Sequence, residues 1–159
     1  MTGYFDAAPR PLAPDDLEPV RALVWGALGV TPYVDRVMEL LAAAEHGDPE
    51  SRALVIERDG TVAALALYGP VAGAADAWKL SILLTAPHVA PRDVGRAILD
   101  AVIDAVRRDG ARLLVAELPA DAALGRSLSL LRANGFDQEA RIPDFYREGV
   151  ALLFLRREL

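Results

Sequence analysis

The run Pro91-Arg92-Asp93-Val94-Gly95-Arg96-Ala97 places two guanidinium groups and a glycine at the start of the clearest amphipathic helix pattern in the chain. It follows an apolar segment, Trp78 to about Thr85, that reads as a strand covered on both faces. Where a strand gives way to a helix, first-turn N–H groups are free to receive an anion. Gly95 lacks a Cβ, which lets an oxygen approach its amide, and Arg92 and Arg96 can add charge-assisted hydrogen bonds. That chemistry suits a diphosphate. Glycines and arginines at helix starts also serve ordinary capping and solvated charge, so the run alone leaves both uses open.

Composition narrows the partners. The chain has 159 residues, 53% hydrophobic and 25% charged, enough apolar material for one compact domain over residues 1–159. With 17 Lys and Arg against 23 Asp and Glu the net charge is -6, a field that repels phosphate backbones and argues against nucleic-acid binding. The absence of cysteine excludes disulfides, thiolate nucleophiles and thiolate zinc sites, and His46 and His88 form no ligand motif, so no metal is expected. The uncharged stretch Thr61 to Ala75 is interrupted by Gly69, Pro70 and Gly73 and falls short of the roughly 18 apolar residues of a membrane span. Met1 to Asp6 lacks the basic-then-apolar pattern of an export signal, so a cytoplasmic location without a membrane partner is expected.

The elements that must hold the anion-binding run follow from pattern. Arg10 to Leu12 reads as a short strand that Pro11 confines to an edge. Asp15 and Glu18 suggest a capping box for a helix carrying Leu17, Val20, Val24 and Leu28. Thr31 as N-cap with Pro32 behind it starts a second helix burying Val34, Val37, Met38 and Leu41. Asp59-Gly60 between Ala53–Ile56 and Val62–Tyr68 predicts a tight antiparallel hairpin. After Trp78–Thr85, whose apolar run is broken only by Lys79 and Ser81, Val94, Ala97, Ile98, Ala101, Val102, Ala105 and Val106 fall on one helical face, and Gly110 ends that helix. Leu113–Leu118 predicts a buried strand, Leu124–Arg132 a helix, and two last strands flank a loop over Pro143–Gly149, with Val150–Leu155 as an apolar run. Antiparallel early strands followed by a β-α-β unit indicate a mixed α+β sheet with helices on both faces.

In this order, the segments resemble the GNAT superfamily of acyl-CoA-dependent N-acetyltransferases over nearly the whole chain. Arg92-x-x-Gly95-x-Ala97 is similar to that family's R/Q-x-x-G-x-G/A diphosphate loop, and Leu131-Arg132-Ala133-Asn134-Gly135-Phe136 to its helix ending in Gly-Phe. Arg141-Ile142-Pro143-Asp144-Phe145-Tyr146, with Gly149 and an apolar strand behind it, looks like its closing segment. The resemblance implies a largely antiparallel sheet splayed between its fourth strand, Trp78 to Thr85, and its fifth, Leu113 to Leu118. It further implies acetyl-CoA as cosubstrate, with backbone groups near Leu83, Leu84 and Thr85 pairing with the pantetheine arm. Amides of Val94, Gly95, Arg96 and Ala97 would hold the diphosphate with Arg92. The acceptor would be a primary amine of a small molecule or protein, and because related folds often dimerise, a homodimer is a further expectation.

Such a transfer needs a base, because an alkyl ammonium of pKa about 10.4 has no lone pair to offer at neutral pH. It also needs a donor for the departing thiolate. Many members carry a tyrosine four residues before the Gly-Phe glycine, where this chain has Leu131. Asp93 stands where a glycine is common, the Pro87–Arg92 connection is slightly long, and no carboxylate lies within Trp78–Thr85. Tyr146 is the substitute acid and Glu117, if it faces the cleft, the substitute base, against packing for the one and an exposed or arginine-paired strand end for the other. His88 has a suitable pKa but sits in a loop, and Trp78 and Tyr68 could line an acceptor pocket or the core. Two functions follow: an N-acetyltransferase, or a catalytically degenerate acyl-CoA sensor or interaction domain.

Overall fold

The computed structural model describes residues 8–89 and 91–159, with only the backbone described at Pro91 and Arg92. The Met1 to Asp6 segment read for an export signal lies outside these residues. In chain order the elements are β1 (Arg10–Pro11), α1 (Leu17–Leu28), α2 (Val34–Glu45), β2 (Arg52–Arg58), β3 (Thr61–Pro70) and β4 (Ala77–Thr85). They continue with α3 (Pro91–Arg108), β5 (Leu113–Pro119), α4 (Gly125–Ala133), β6 (Asp137–Arg147) and β7 (Val150–Glu158). The strands form a seven-stranded sheet in the order β1-β2-β3-β4-β5-β7-β6. Every pairing is antiparallel except β4 with β5, which α3 connects as a crossover.

Local chemistry explains the early sheet. Asp59 and Gly60 both take positive φ, 53° and 76°, the geometry that matches strand twist in a two-residue hairpin between β2 and β3. One face of the sheet is covered by α3 and α4, around Ile98, Leu99, Val102, Leu114 and Leu131. The other is covered by α1 and α2, around Val20, Val24, Leu28, Leu65 and Ile82. Strands buried on both faces lose the polar alternation of half-exposed ones, which is why β3 and β5 read as apolar runs. Among the described residues no helix is long and apolar enough to cross a membrane.

Two irregularities decide where a site can form. Along β3 and β4 the register passes from Leu67↔Ile82 to Tyr68↔Leu80, so Ser81 is an extra residue on β4 and the strand bends there. Pairing of β4 with β5 runs from Ala77↔Leu113 to Leu80↔Ala116 and ends at the same point. Beyond it Ile82 to Thr85 stay bonded to β3, while Glu117 to Pro119 stay bonded to β7, and the two strands part. At the far edge, β6 and β7 change register between Ile142↔Leu152 and Arg147↔Val150. Asp144 takes φ 54° in this bulge, and its Oδ1 accepts the Gly149 N–H at 2.7 Å.

Several expectations need correction. Pro143 to Gly149 is not a free loop, because β6 continues through Arg147 as a bulged strand and only Glu148 and Gly149 turn. The carboxylate that organises the start of α1 is Asp16 rather than Asp15. It accepts the Ala13 N–H at 2.7 Å and both Arg10 guanidinium nitrogens at 2.6 and 2.8 Å. Thr31 does not cap α2, which begins at Val34, and its buried hydroxyl has no hydrogen-bond partner among the described residues. On α3 Ala97 is exposed, whereas Leu99 and Ile103 are buried, because helices clad with α4 bury a wider arc than one stripe. The Val150–Leu155 run is interior to the sheet, with β5 on one side and β6 on the other.

Candidate active site

One side of α4 and Arg96 of α3 line an open cavity of about 530 Å³, with Gly125, Arg126, Ser129, Leu130 and Ala133 on α4 and Asn134 just after it. Arg96 is exposed, with Asp100 3.7 Å away. Arg126 donates to the Val89 carbonyl at 3.0 Å and to that of Pro87 at 3.4 Å, which pins the β4–α3 connection. Because α3 begins at Pro91, which has no N–H, the first-turn amides without an intrahelical partner are those of Arg92 and Asp93, while Val94, Gly95, Arg96 and Ala97 fall at or beyond the fourth helical position, where the ladder begins. The Arg92 side chain lies outside the described residues.

Gly95 has a role that its motif position does not reveal. A Cβ there would lie 2.6 Å from Leu130 Cδ2 and 3.4 Å from Thr85 Cγ2, so the missing side chain lets α4 and β4 close on α3. The space expected for an approaching oxygen is filled by Leu130. Val94 is also buried, and Leu83, Leu84 and Thr85 lie on β4 beyond the bulge, on the edge from which β5 has parted. Ser127, buried on α4, donates its hydroxyl to the Leu83 carbonyl. A carbonyl has two lone pairs, so this bond leaves a second available at that edge.

A second cavity, of about 370 Å³, opens where β4 and β5 separate on the α2 side. Its lining includes Tyr33, Arg36, Lys79, Ser81, Glu117, Leu124, Phe145 and Tyr146. Lys79 Nζ lies 2.8 Å from Glu117 Oε2, each side chain a little over one-third exposed. Glu117 thus faces the cleft, and its partner is a lysine, not the arginine considered from sequence. Burial, with Glu117 nearby, raises the Tyr146 phenol above its ordinary value, so it keeps its proton at neutral pH. Tyr33 is pushed up to about 12, first by burial and then by the bond its hydroxyl donates to Asp121 Oδ2 at 3.0 Å. Asp121 is held below the usual carboxylate range by the Ala123 N–H at 3.0 Å and Arg147 at 2.9 Å. The Tyr146 ring packs edge-on against Tyr33 and Phe145, at centroid distances of 5.8 and 5.0 Å.

The remaining sequence candidates lie elsewhere. His88 sits in an exposed turn, and Tyr68 and Trp78 belong to the core, with the Arg52 guanidinium 4.7 Å from the Trp78 ring centre. Leu131 is buried in the core beside α3. Sequence reading missed Tyr33, Lys79, Asp121, Arg126 and Arg147 as site residues. Only Lys79 left a sequence signal, as a charge inside an otherwise apolar strand.

The assembled site can accept a polyanion at one cavity and hold an amine beside a carboxylate and a protonated phenol at the other. A GNAT-family protein from Desulfovibrio desulfuricans is 29% identical, with a TM-score of 0.83 over 95% of this chain and 98% of that one. A ribosomal-protein-alanine N-acetyltransferase from Brucella melitensis is 23% identical, with a TM-score of 0.74 over 95% and 99%. The yncA protein of Salmonella typhimurium, solved with its cofactor acetyl-CoA, is 21% identical, with a TM-score of 0.74 over 96% and 93%. The sequence has no match among curated proteins. The family model for the acetyltransferase (GNAT) family matches residues 17–136, well over half of the chain, and the protein belongs to that family.

Proposed function

We propose that the protein transfers an acetyl group from acetyl-CoA to a primary amine of a small molecule or a protein. The observation that carries this reading is the gap between β4 and β5, with an arginine-bearing cavity on the α3–α4 side and an amphipathic one on the α2 side. The pantetheine arm would pair with the outward-facing backbone groups of Leu83 and Thr85, which β5 leaves open, while those of Leu84 between them face β3. The diphosphate would lie at the first turn of α3, near the Asp93 amide, with Arg92, Arg96 and Arg126 supplying charge. Gly95 contributes the close packing of that corner rather than a free amide.

Glu117 accepts a proton from the incoming ammonium, which frees the nitrogen lone pair. The nitrogen attacks the thioester carbon, a C–N bond forms, the C–S bond breaks, and the nitrogen sheds its second proton to solvent. Tyr146 donates its hydroxyl proton to the departing sulfur and is reprotonated from solvent, and Glu117 returns its proton to solvent, so the balance is one proton released per amide formed. Edge-on packing against Tyr33 and Phe145 fixes the direction of that hydroxyl.

Leu131 favours the second reading, an acyl-CoA sensor or interaction domain, because a buried leucine supplies no hydroxyl at the family's usual position. Calorimetric titration with acetyl-CoA, followed by free-thiol release with a panel of amines, separates the two. Binding with amine-dependent thiol release is expected. Binding without release supports the sensor, and no binding removes both.

A further inference from the structure

The Lys79–Glu117 pair spans the floor of the α2-side cavity, on the parallel strands β4 and β5 where they begin to part. Both charges reach the cavity, and neither is deeply buried. A simple cationic amine entering there would meet Glu117 but also the Lys79 ammonium, while the Arg36 guanidinium at the lining is already paired with Glu39 at 3.0 Å. Like charges so placed disfavour it. A ligand that carries its own cation and anion on neighbouring atoms has no such conflict, because it can exchange one internal pair for two new ones. Its ammonium faces Glu117, and its carboxylate faces Lys79. The walls supplied by Val37, Leu40, Ile82, Leu124 and Phe145 are apolar and suit an aliphatic or aromatic body.

From this geometry we propose that the acceptor is a zwitterionic α-amino acid, or a compound of the same charge pattern, with an apolar side chain. The inference rests on the acetyltransferase reading and narrows its acceptor. Lys79 recognises the anionic group, and Glu117 receives the amine. A polyamine or an internal lysine of a protein carries no adjacent carboxylate and leaves Lys79 facing a second cation. The cavity's size also favours a single residue, since about 370 Å³ is at the small end of ligand pockets.

The test compares L-leucine, L-leucinamide and 3-methylbutylamine, which share an apolar body and differ in the carboxylate. Affinity is measured by calorimetry on the CoA-saturated protein, and turnover by thiol release from acetyl-CoA. Leucine is expected to bind and react more efficiently than either analogue by roughly tenfold or more, the value of one charge-assisted hydrogen bond. Lys79→Met should bring the three toward equality, and Lys79→Arg should restore the preference. Equal use of all three, a preference that survives Lys79→Met, or no binding of leucine overturns the proposal. Acetyl-CoA affinity is measured separately on the same protein. If leucine binds in a Lys79-dependent way while acetyl-CoA does not bind, the pocket assignment stands and the acetyltransferase reading falls.

Discussion

The two cavities handle charge in opposite ways. Between α3 and α4, Arg96 reaches solvent with the Asp100 carboxylate 3.7 Å away, and Arg126 spends its donors on main-chain carbonyls. Positive charge there is left largely uncompensated. Between β4 and β5, Lys79 faces Glu117 at 2.8 Å, Arg147 faces Asp121 at 2.9 Å, and Arg36 faces Glu39 at 3.0 Å. Surplus charge attracts any polyanion of suitable shape, even against a net charge of -6. Compensated charge admits only a ligand that replaces the pairing it disrupts, so it selects. Under the proposed function, one cavity would supply a general grip on a coenzyme and the other discrimination among acceptors.

Substitutions can separate these roles. Glu117→Gln should lower kcat about 100-fold or more, since it removes the base, while leaving acetyl-CoA affinity intact by calorimetry. Loss of acetyl-CoA affinity in that variant would erase the distinction between the cavities. Tyr146→Phe should reduce kcat by about 10- to 100-fold with little change in KM, and an unchanged rate would exclude its hydroxyl as the acid. On the other side, Arg96→Ala combined with Arg126→Ala should weaken acetyl-CoA binding by about tenfold, an effect that shrinks as salt rises. Their kcat at saturating coenzyme should hold.

The smallest expected effect concerns the clasp that closes the amphipathic cavity. Tyr33→Phe removes the bond to Asp121 and should cost about 1 kcal/mol in urea unfolding. Because the folded value, about 12, lies above the ordinary value near 10, the folded chain keeps a proton that the unfolded chain gives up. That contribution is whole below about pH 10 and is lost as pH rises through about 12. The variant should therefore show a shallower alkaline loss of stability than the parent chain, and identical slopes would mean that the clasp carries none of it.

What could be read in advance follows the same division. The hairpin at Asp59-Gly60, the strand–helix–strand unit and the Arg92-x-x-Gly95 run are local signals, with their residues adjacent in sequence. The amphipathic cavity joins residues from α2, β4, β5 and β6, and no short window contains more than a fraction of it. Tyr33 and Asp121 are 88 positions apart, yet share a hydrogen bond. Glu117 and Tyr146 were accessible as candidates only through the order of elements. Gly95 shows the converse limit, since its motif position suggests contact with a ligand while its surroundings, Leu130 and Thr85, show that it permits helix packing. For that reason a bulky replacement of Gly95 would disturb the core as well as any ligand, and the two arginines are the cleaner probes.

A crystal structure of the protein grown with CoA tests the central assignment most directly. The account predicts density for the arm along the open edge of β4 from Ser81 to Thr85, and for the diphosphate at the first turn of α3 within reach of Arg96 and Arg126. Coenzyme bound elsewhere, with the β4–β5 gap and the α3–α4 cavity unchanged and empty beside it, would contradict it.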